Sequence, residues 1–207
     1  YQIVVATLGN GDLAGAEELA SAFADKYWGD PIGDDLFHRL AERHLALGDT
    51  DKALVQLELS LQKYPRGSYA ESSLLTRASV LTQLDQTDKA AEEYARFMKM
   101  FANSPLIDRA LYLRGLNYQK QGKFDLSTKD FREILSAHTQ SKYKEDATFR
   151  IGVNLSSIGK QQDAIEHLAR FEKLFPKSEL LPAVFYQLGL AYEGAGRYDM
   201  AIQAHGG

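Results

Sequence analysis

The residues best suited to chemistry near neutral pH in this chain of 207 residues are five histidines, His38, His44, His138, His167 and His205. His38 and His44 are six positions apart, so on one helix they face different sides, unlike the i, i+4 pair that grips a metal ion. The acidic pairs Glu17-Glu18, Asp34-Asp35 and Glu92-Glu93 are adjacent in sequence and diverge on a helix, which suits solvated faces rather than shared proton transfer. Gly9-Asn10-Gly11 reads as a turn with helix on both sides and no preceding strand, which argues against a phosphate cradle. Asn154-Leu155-Ser156 fits a glycosylation acceptor by composition but falls within a helical run. No HExxH, P-loop or GxSxG arrangement occurs. Cysteine is absent, which removes disulfides, thiolate metal sites and a cysteine nucleophile from this sequence. No catalytic residue, metal site or cofactor is expected, and the chain reads as a non-enzyme.

The elements that carry these residues come from a soluble-type composition, 44% hydrophobic and 25% charged. No run approaches the roughly 20 apolar residues of a membrane-spanning helix. The net charge of −4 disfavours a nucleic-acid partner. Charge is unevenly spread: residues 1–95 carry 8 basic and 16 acidic residues, and residues 96–150 carry 11 and 6. This describes either an ordinary solvated surface or a rod with ends of opposite sign. The chain opens on Tyr1-Gln2 and closes on Ala204-His205-Gly206-Gly207 within helical patterns, which reads as a segment cut from a longer protein at both ends.

Short turns recur at a constant spacing of 37 residues: Gly11-Asp12, Gly48-Asp49, Asp85-Gln86, Gly122-Lys123, Gly159-Lys160 and Gly196-Arg197. Five residues after each turn begins stand Ala16, Ala53, Ala90, Ser127, Ala164 and Ala201. Seven residues before the last five stand Ala41, Ala78, Gly115, Gly152 and Gly189. Nine residues after the first five come Ala20, Leu57, Tyr94, Phe131 and Leu168. The apolar spacings are helical, and the small residues allow two helices to cross closely. Each unit is therefore helix, turn, helix. One hairpin cannot bury its own apolar face, so the units must stack.

In the last unit the pattern reads Phe185, Leu188, Gly189, Tyr192, Gly196, Tyr198 and Ala201, and the unit before adds Gly152, Gly159, Ala164, Leu168 and Pro176. These residues resemble the tetratricopeptide repeat (TPR) family. The resemblance implies an all-α, right-handed superhelix, an α-solenoid of about six hairpins, over residues 1–207 as a single domain. Its units are 1–33, 34–70, 71–107, 108–144, 145–181 and 182–207, the first and last truncated. The period exceeds the family's usual 34 by three residues, placed at junctions such as Tyr64-Pro65-Arg66-Gly67-Ser68-Tyr69 and Phe175-Pro176-Lys177-Ser178. Such junctions, with Asn103-Ser104-Pro105-Leu106-Ile107-Asp108 and Tyr112-Leu113-Arg114-Gly115-Leu116, resemble TPR proteins of the Gram-negative envelope of the BamD and CpoB type. Two departures from BamD are visible. Gln121-Gly122-Lys123 is a minimal turn where that type carries a long insertion, and an extra unit precedes the first BamD-like hairpin.

The resemblance also implies a binding face, because in the family the first helix of each hairpin lines a concave groove. The groove positions here are His38 and Glu42, Leu75 and Ser79, Tyr112 and Leu116, Phe149 and Val153, and Tyr186 and Leu190. The last three pairs form an aromatic-aliphatic ladder suited to a peptide or helix; packing against a neighbouring helix is the competing reading. Arg77 and Arg114, one residue before Ala78 and Gly115 where the family usually has an apolar residue, are either packed against nearby acids or a ligand-gripping pair. The expected function is a scaffold binding a protein or peptide in an envelope assembly complex, at the periplasm or the periplasmic face of the outer membrane, with the cytoplasm as the alternative location. The rival roles are a structural module self-associating through its exposed terminal repeats, or the appendage of a larger enzyme or regulator.

Overall fold

The computed structural model describes residues 1–27 and 29–205, with the side chain of Pro31 left aside. Thirteen helices and no strand occur among the described residues. They pair in sequence order: α1 (Gln2–Gly9) with α2 (Leu13–Lys26), α3 (Pro31–Ala46) with α4 (Thr50–Lys63), and α5 (Ala70–Gln83) with α6 (Thr87–Met100). Then come α7 (Ile107–Lys120) with α8 (Phe124–Ala137), and α9 (Lys144–Ser157) with α10 (Gln161–Leu168) and its short continuation α11 (Phe171–Leu174). The last pair is α12 (Leu181–Gly194) and α13 (Tyr198–His205). The chain is thus all-α and built of consecutive hairpins, grouped in two compact units, Tyr1–Ala102 and Asn103–Gly207.

Every hairpin turns by the same device. The second residue after the first helix lies in the left-handed region: Gly11, Gly48, Asp85, Gly122, Gly159 and Gly196, with φ between 61° and 84°. The next backbone N–H then bonds back five residues, Asp49 to His44, Gln86 to Leu81, Lys123 to Tyr118, Lys160 to Leu155 and Arg197 to Tyr192, all at 2.9 Å. This closure satisfies a carbonyl that a helix end leaves without a partner. In the first two hairpins the same turn residue also starts the second helix, since Asp12 and Asp49 accept from the N–H groups of Gly15 and Lys52.

The glycines before the last three turns meet the side chain nine positions after each turn. A Cβ added to Gly115 would lie 2.6 Å from Phe131 Cε1, and one on Gly152 or Gly189 would overlap Leu168 or His205. The tightest partner of each glycine is therefore a bulky side chain of the second helix, rather than the small residue five after the turn, as expected from sequence. Phe131 and Leu168 fill the space left by the missing side chains and are almost fully buried, as are Leu57 and Tyr94 in the same register. In the last hairpin this plug is His205.

Candidate functional site

The first helices carry the candidate groove residues, and the two units treat them differently. In the first unit, Leu75 is only 5% exposed. Little of its side chain is therefore open to a partner in this structure. His38 is largely buried and its ring stacks on Tyr69 at 4.5 Å, while Glu42 is exposed and faces the His38 imidazole at 3.5 Å. Ser79 is partly exposed. In the second unit, Leu116, Phe149, Val153 and Leu190 are all partly exposed, and Tyr186 is 55% exposed.

Tyr112 is part of a seam between hairpins. Its ring stacks on Tyr143 at 4.3 Å, and its hydroxyl donates to Asp146 Oδ2 at 2.7 Å. Burial, then the bond to Asp146, pushes its phenol above the ordinary range. Arg150 pairs with the same carboxylate and donates to Gln119 Oε1 at 2.9 Å. Gln119 donates in turn to Asn154 Oδ1, whose amide reaches Ser127 and Thr128 at 3.0 and 3.1 Å. Asp146, Arg150 and Asn154 are spaced four apart, one face of α9 laid against α7 and α8.

The same triad stands three repeats earlier. Tyr1 donates to Asp35 Oδ2 at 2.7 Å, and Arg39 donates to that oxygen at 2.7 Å. Burial works against the Asp35 carboxylate, yet hydrogen bonds from Arg39, Tyr1 and Tyr69 hold it below its usual value. This Tyr-Asp-Arg triad escaped the sequence reading. Its signal was available: a tyrosine in the groove register is followed 34 residues on by an aspartate and 38 on by an arginine.

A second periodic device fixes the junctions. Ser141 Oγ donates to Asp108 at 2.6 Å, Ser178 donates to Glu145, and each serine oxygen also accepts the N–H two residues on. In the first unit Gly67 stands where the others have serine. A Cβ there would overlap the carboxylate of Asp34, which accepts directly from the Tyr69 N–H at 2.7 Å and from Ser60 Oγ at 2.6 Å.

Arg77 and Arg114 are both engaged within the chain. Arg114 makes two parallel bonds to Asp130, 2.8 and 2.6 Å. Burial works against its charge, but that pairing keeps the guanidinium above its ordinary value. Arg77 bonds Glu58 at 2.5 Å and Glu93 at 3.0 Å. Each acid of the matched pair lies 16 residues after its arginine, so these side chains close their own hairpins. His44 is buried against Glu17 at 2.5 Å, and His167 Nε2 bonds the Thr148 carbonyl at 2.8 Å. Among the described residues no group of three or more His, Asp or Glu could hold a metal ion, and no helix is long and apolar enough to cross a membrane.

The profile of the YfiO outer membrane lipoprotein family matches residues 33–156. The chain belongs to this family. Two TPR profiles match residues 146–178 and 182–204, carrying the repeat into the last hairpin. The chain is 28% identical over 137 residues to the outer membrane protein assembly factor BamD of Neisseria meningitidis serogroup B, covering 58% of this chain and 51% of that protein. BamD of Neisseria gonorrhoeae matches to the same extent. The chain spans about half the length of these curated relatives. Among solved structures, MamA superposes with a TM-score of 0.68 at 20% identity, over 83% of this chain and 87% of that one. A TPR protein from Parabacteroides merdae covers 98% of this chain and 75% of its own, with a TM-score of 0.61 at 22% identity. These structures share the TPR fold with this YfiO family member.

Proposed function

We propose that the chain is a non-enzymatic scaffold that holds an extended or helical protein segment along the first helices of its second unit, as part of an outer-membrane assembly complex at the periplasmic face. The observation that supports this most is the run of partly exposed apolar side chains, Leu116, Phe149, Val153, Tyr186 and Leu190, on α7, α9 and α12. Apolar groups repeated along one surface favour a partner that covers them. The relationship to a protein named as an outer membrane assembly factor supports the setting. Tyr112, at the same register, contributes the edge of a ring whose hydroxyl and one face are already engaged.

Phe149→Ala tests the reading. Truncating an aromatic anchor at an interface commonly costs about 2 kcal/mol or more of binding, whereas truncating a core aromatic costs about 3–5 kcal/mol of stability. The expected result is a near-unchanged urea midpoint together with loss of capture of outer-membrane assembly proteins from an envelope extract. A collapsed midpoint would place Phe149 in the core and end the groove reading.

A further inference from the structure

Two hairpins are closed by an ion pair in the same place, Arg77 with Glu93 and Arg114 with Asp130. One repeat further on, the arginine position holds Ile151 and the acid position holds His167. A single bond takes the place of the pair: the His167 ring donates to the Thr148 carbonyl at 2.8 Å, joining α10 to α9. That carbonyl already serves the i+4 amide of its own helix, so withdrawing the imidazole strands no backbone acceptor. The charges that act on the ring are Arg132 of α8 and Arg170 between α10 and α11. Helices α9 and α12 add none, and among the described residues no carboxylate offsets the two cations. A neutral ring suits this place. A protonated one is a third cation without a counter-ion.

What α10 carries makes this bond matter to the groove. Helix α9 is fixed to α7 and α8 by its own seam, through Asp146, Arg150 and Asn154. Helix α12 instead packs mainly on α10 and only lightly on α9. Leu168, next to His167, also fills the notch at Gly152. The separation between Phe149 and Val153 on α9 and Tyr186 and Leu190 on α12 is therefore set through α10.

We infer that protonation of His167 loosens α10 from α9 and changes the spacing of the apolar ladder, which makes the groove let go of a bound segment in acid. Burial and the two arginines hold the docked imidazole below its ordinary 6.5. The undocked ring binds the proton more tightly, so opening is favoured as pH falls below that value. Asp130, in the preceding hairpin, works the other way: burial raises its carboxyl, so acid favours its docked form. The letting go rests on the groove reading proposed above, whereas the loosening of α10 stands without it.

Amide hydrogen exchange of the whole protein, corrected for the pH dependence of the exchange chemistry, tests the loosening with no partner present. Between pH 7.0 and 5.0, protection of the α10 amides should fall by up to about tenfold per pH unit, the limit for one proton. Protection in α7 and α8 should hold. His167→Gln keeps a donor and cannot titrate, so the fall should vanish. Arg132→Gln, at an exposed position of α8, removes one repelling charge and should reduce the fall, which carries the test even where the first variant folds poorly. The chain has no cysteine, so spin labels at Ser157→Cys on α9 and Ala183→Cys on α12, both exposed positions, report the ladder. Their distance distribution should shift in acid in the parent and stay put in His167→Gln. An equal fall in parent and variants, an equal fall in α7 and α8, or label distances indifferent to pH overturns the inference. Phe149→Ala leaves His167 and its arginines in place, so a failed groove and a failed joint give different results.

Discussion

At the residue scale, the contacts with most at stake are charges taken out of water. Asp130 is 2% exposed and pairs with Arg114, whose side chain is 18% exposed. Removing one member of such a pair strands the other, at a cost of about 3–5 kcal/mol, whereas an apolar replacement of both is often near neutral. Arg114→Met should therefore lower the urea midpoint sharply, and Arg114→Met with Asp130→Leu should recover most of it. Arg77 occupies the same register but shares two more exposed acids with Arg96, so Arg77→Met should cost less. His167 gives a pH signature. Burial, reinforced by Arg132 and Arg170, pushes its imidazole below the ordinary 6.5, and the neutral ring donates to Thr148 O. The unfolded chain then takes up the proton first as pH falls. This contribution to stability is complete above pH 6.5 and is lost as pH falls from there through the lower folded value. His167→Gln keeps a donor without the titration, so its stability should fall less than the parent's between pH 7.5 and 5.0. Equal losses in chemical denaturation would discount His167.

At the element scale, the turns show how far sequence alone could reach. The 37-residue spacing located all six left-handed positions, because a helix that ends in this closure needs one residue at positive φ, and glycine supplies it at no steric cost. Asp85 fills that place with a side chain, at φ 61°. Asp85→Gly should raise stability by about 0.5–1 kcal/mol, read from thermal or urea unfolding. The crossing partners were harder to foresee. Small residues at two positions suggested small-on-small packing, but a gap without a Cβ is best filled by something large, and Phe131 and Leu168 fill it. Gly115→Ala should accordingly overpack the Phe131 ring and cost about 1–3 kcal/mol; an unchanged midpoint would mean the ring has room to move. The role of Tyr112 was hidden for a related reason. Its neighbours Tyr143 and Asp146 belong to the next hairpin, and spacing within one helix says nothing about a partner 34 residues away.

At the scale of the whole molecule, stability in a stack of repeats is close to a sum of units and their nearest-neighbour interfaces. The two compact units each contain complete hairpins with their own buried residues, from Phe37 and Tyr94 in one to Phe131 and Phe171 in the other. A fragment of residues 103–207 should therefore fold alone, with the circular dichroism of a helical protein and a cooperative transition. A non-cooperative melt would show that it borrows its order from the first unit. The fold class and the family setting were legible because periodicity and junction residues act over every unit at once. The binding face was less so, since exposure is decided by which hairpin covers which side chain, as Leu75 and Tyr186 show at one register.

The junction staple has a consequence for how such chains can be recombined. Its two halves, acid and serine, lie 33 residues apart, the acid at the start of one hairpin and the serine in the junction to the next, so duplicating or deleting a hairpin together with its junction returns each acid a serine to meet. A crossover between two kinds of junction does not. Asp34 with Gly67 and Asp108 with Ser141 are separate dialects of one joint, because the carboxylate that reaches the backbone in the first occupies the volume of the serine Cβ in the second. Shuffled arrays of these units should assemble only when both sides of every seam are drawn from the same dialect. A designer can use that rule to dictate which hairpin follows which.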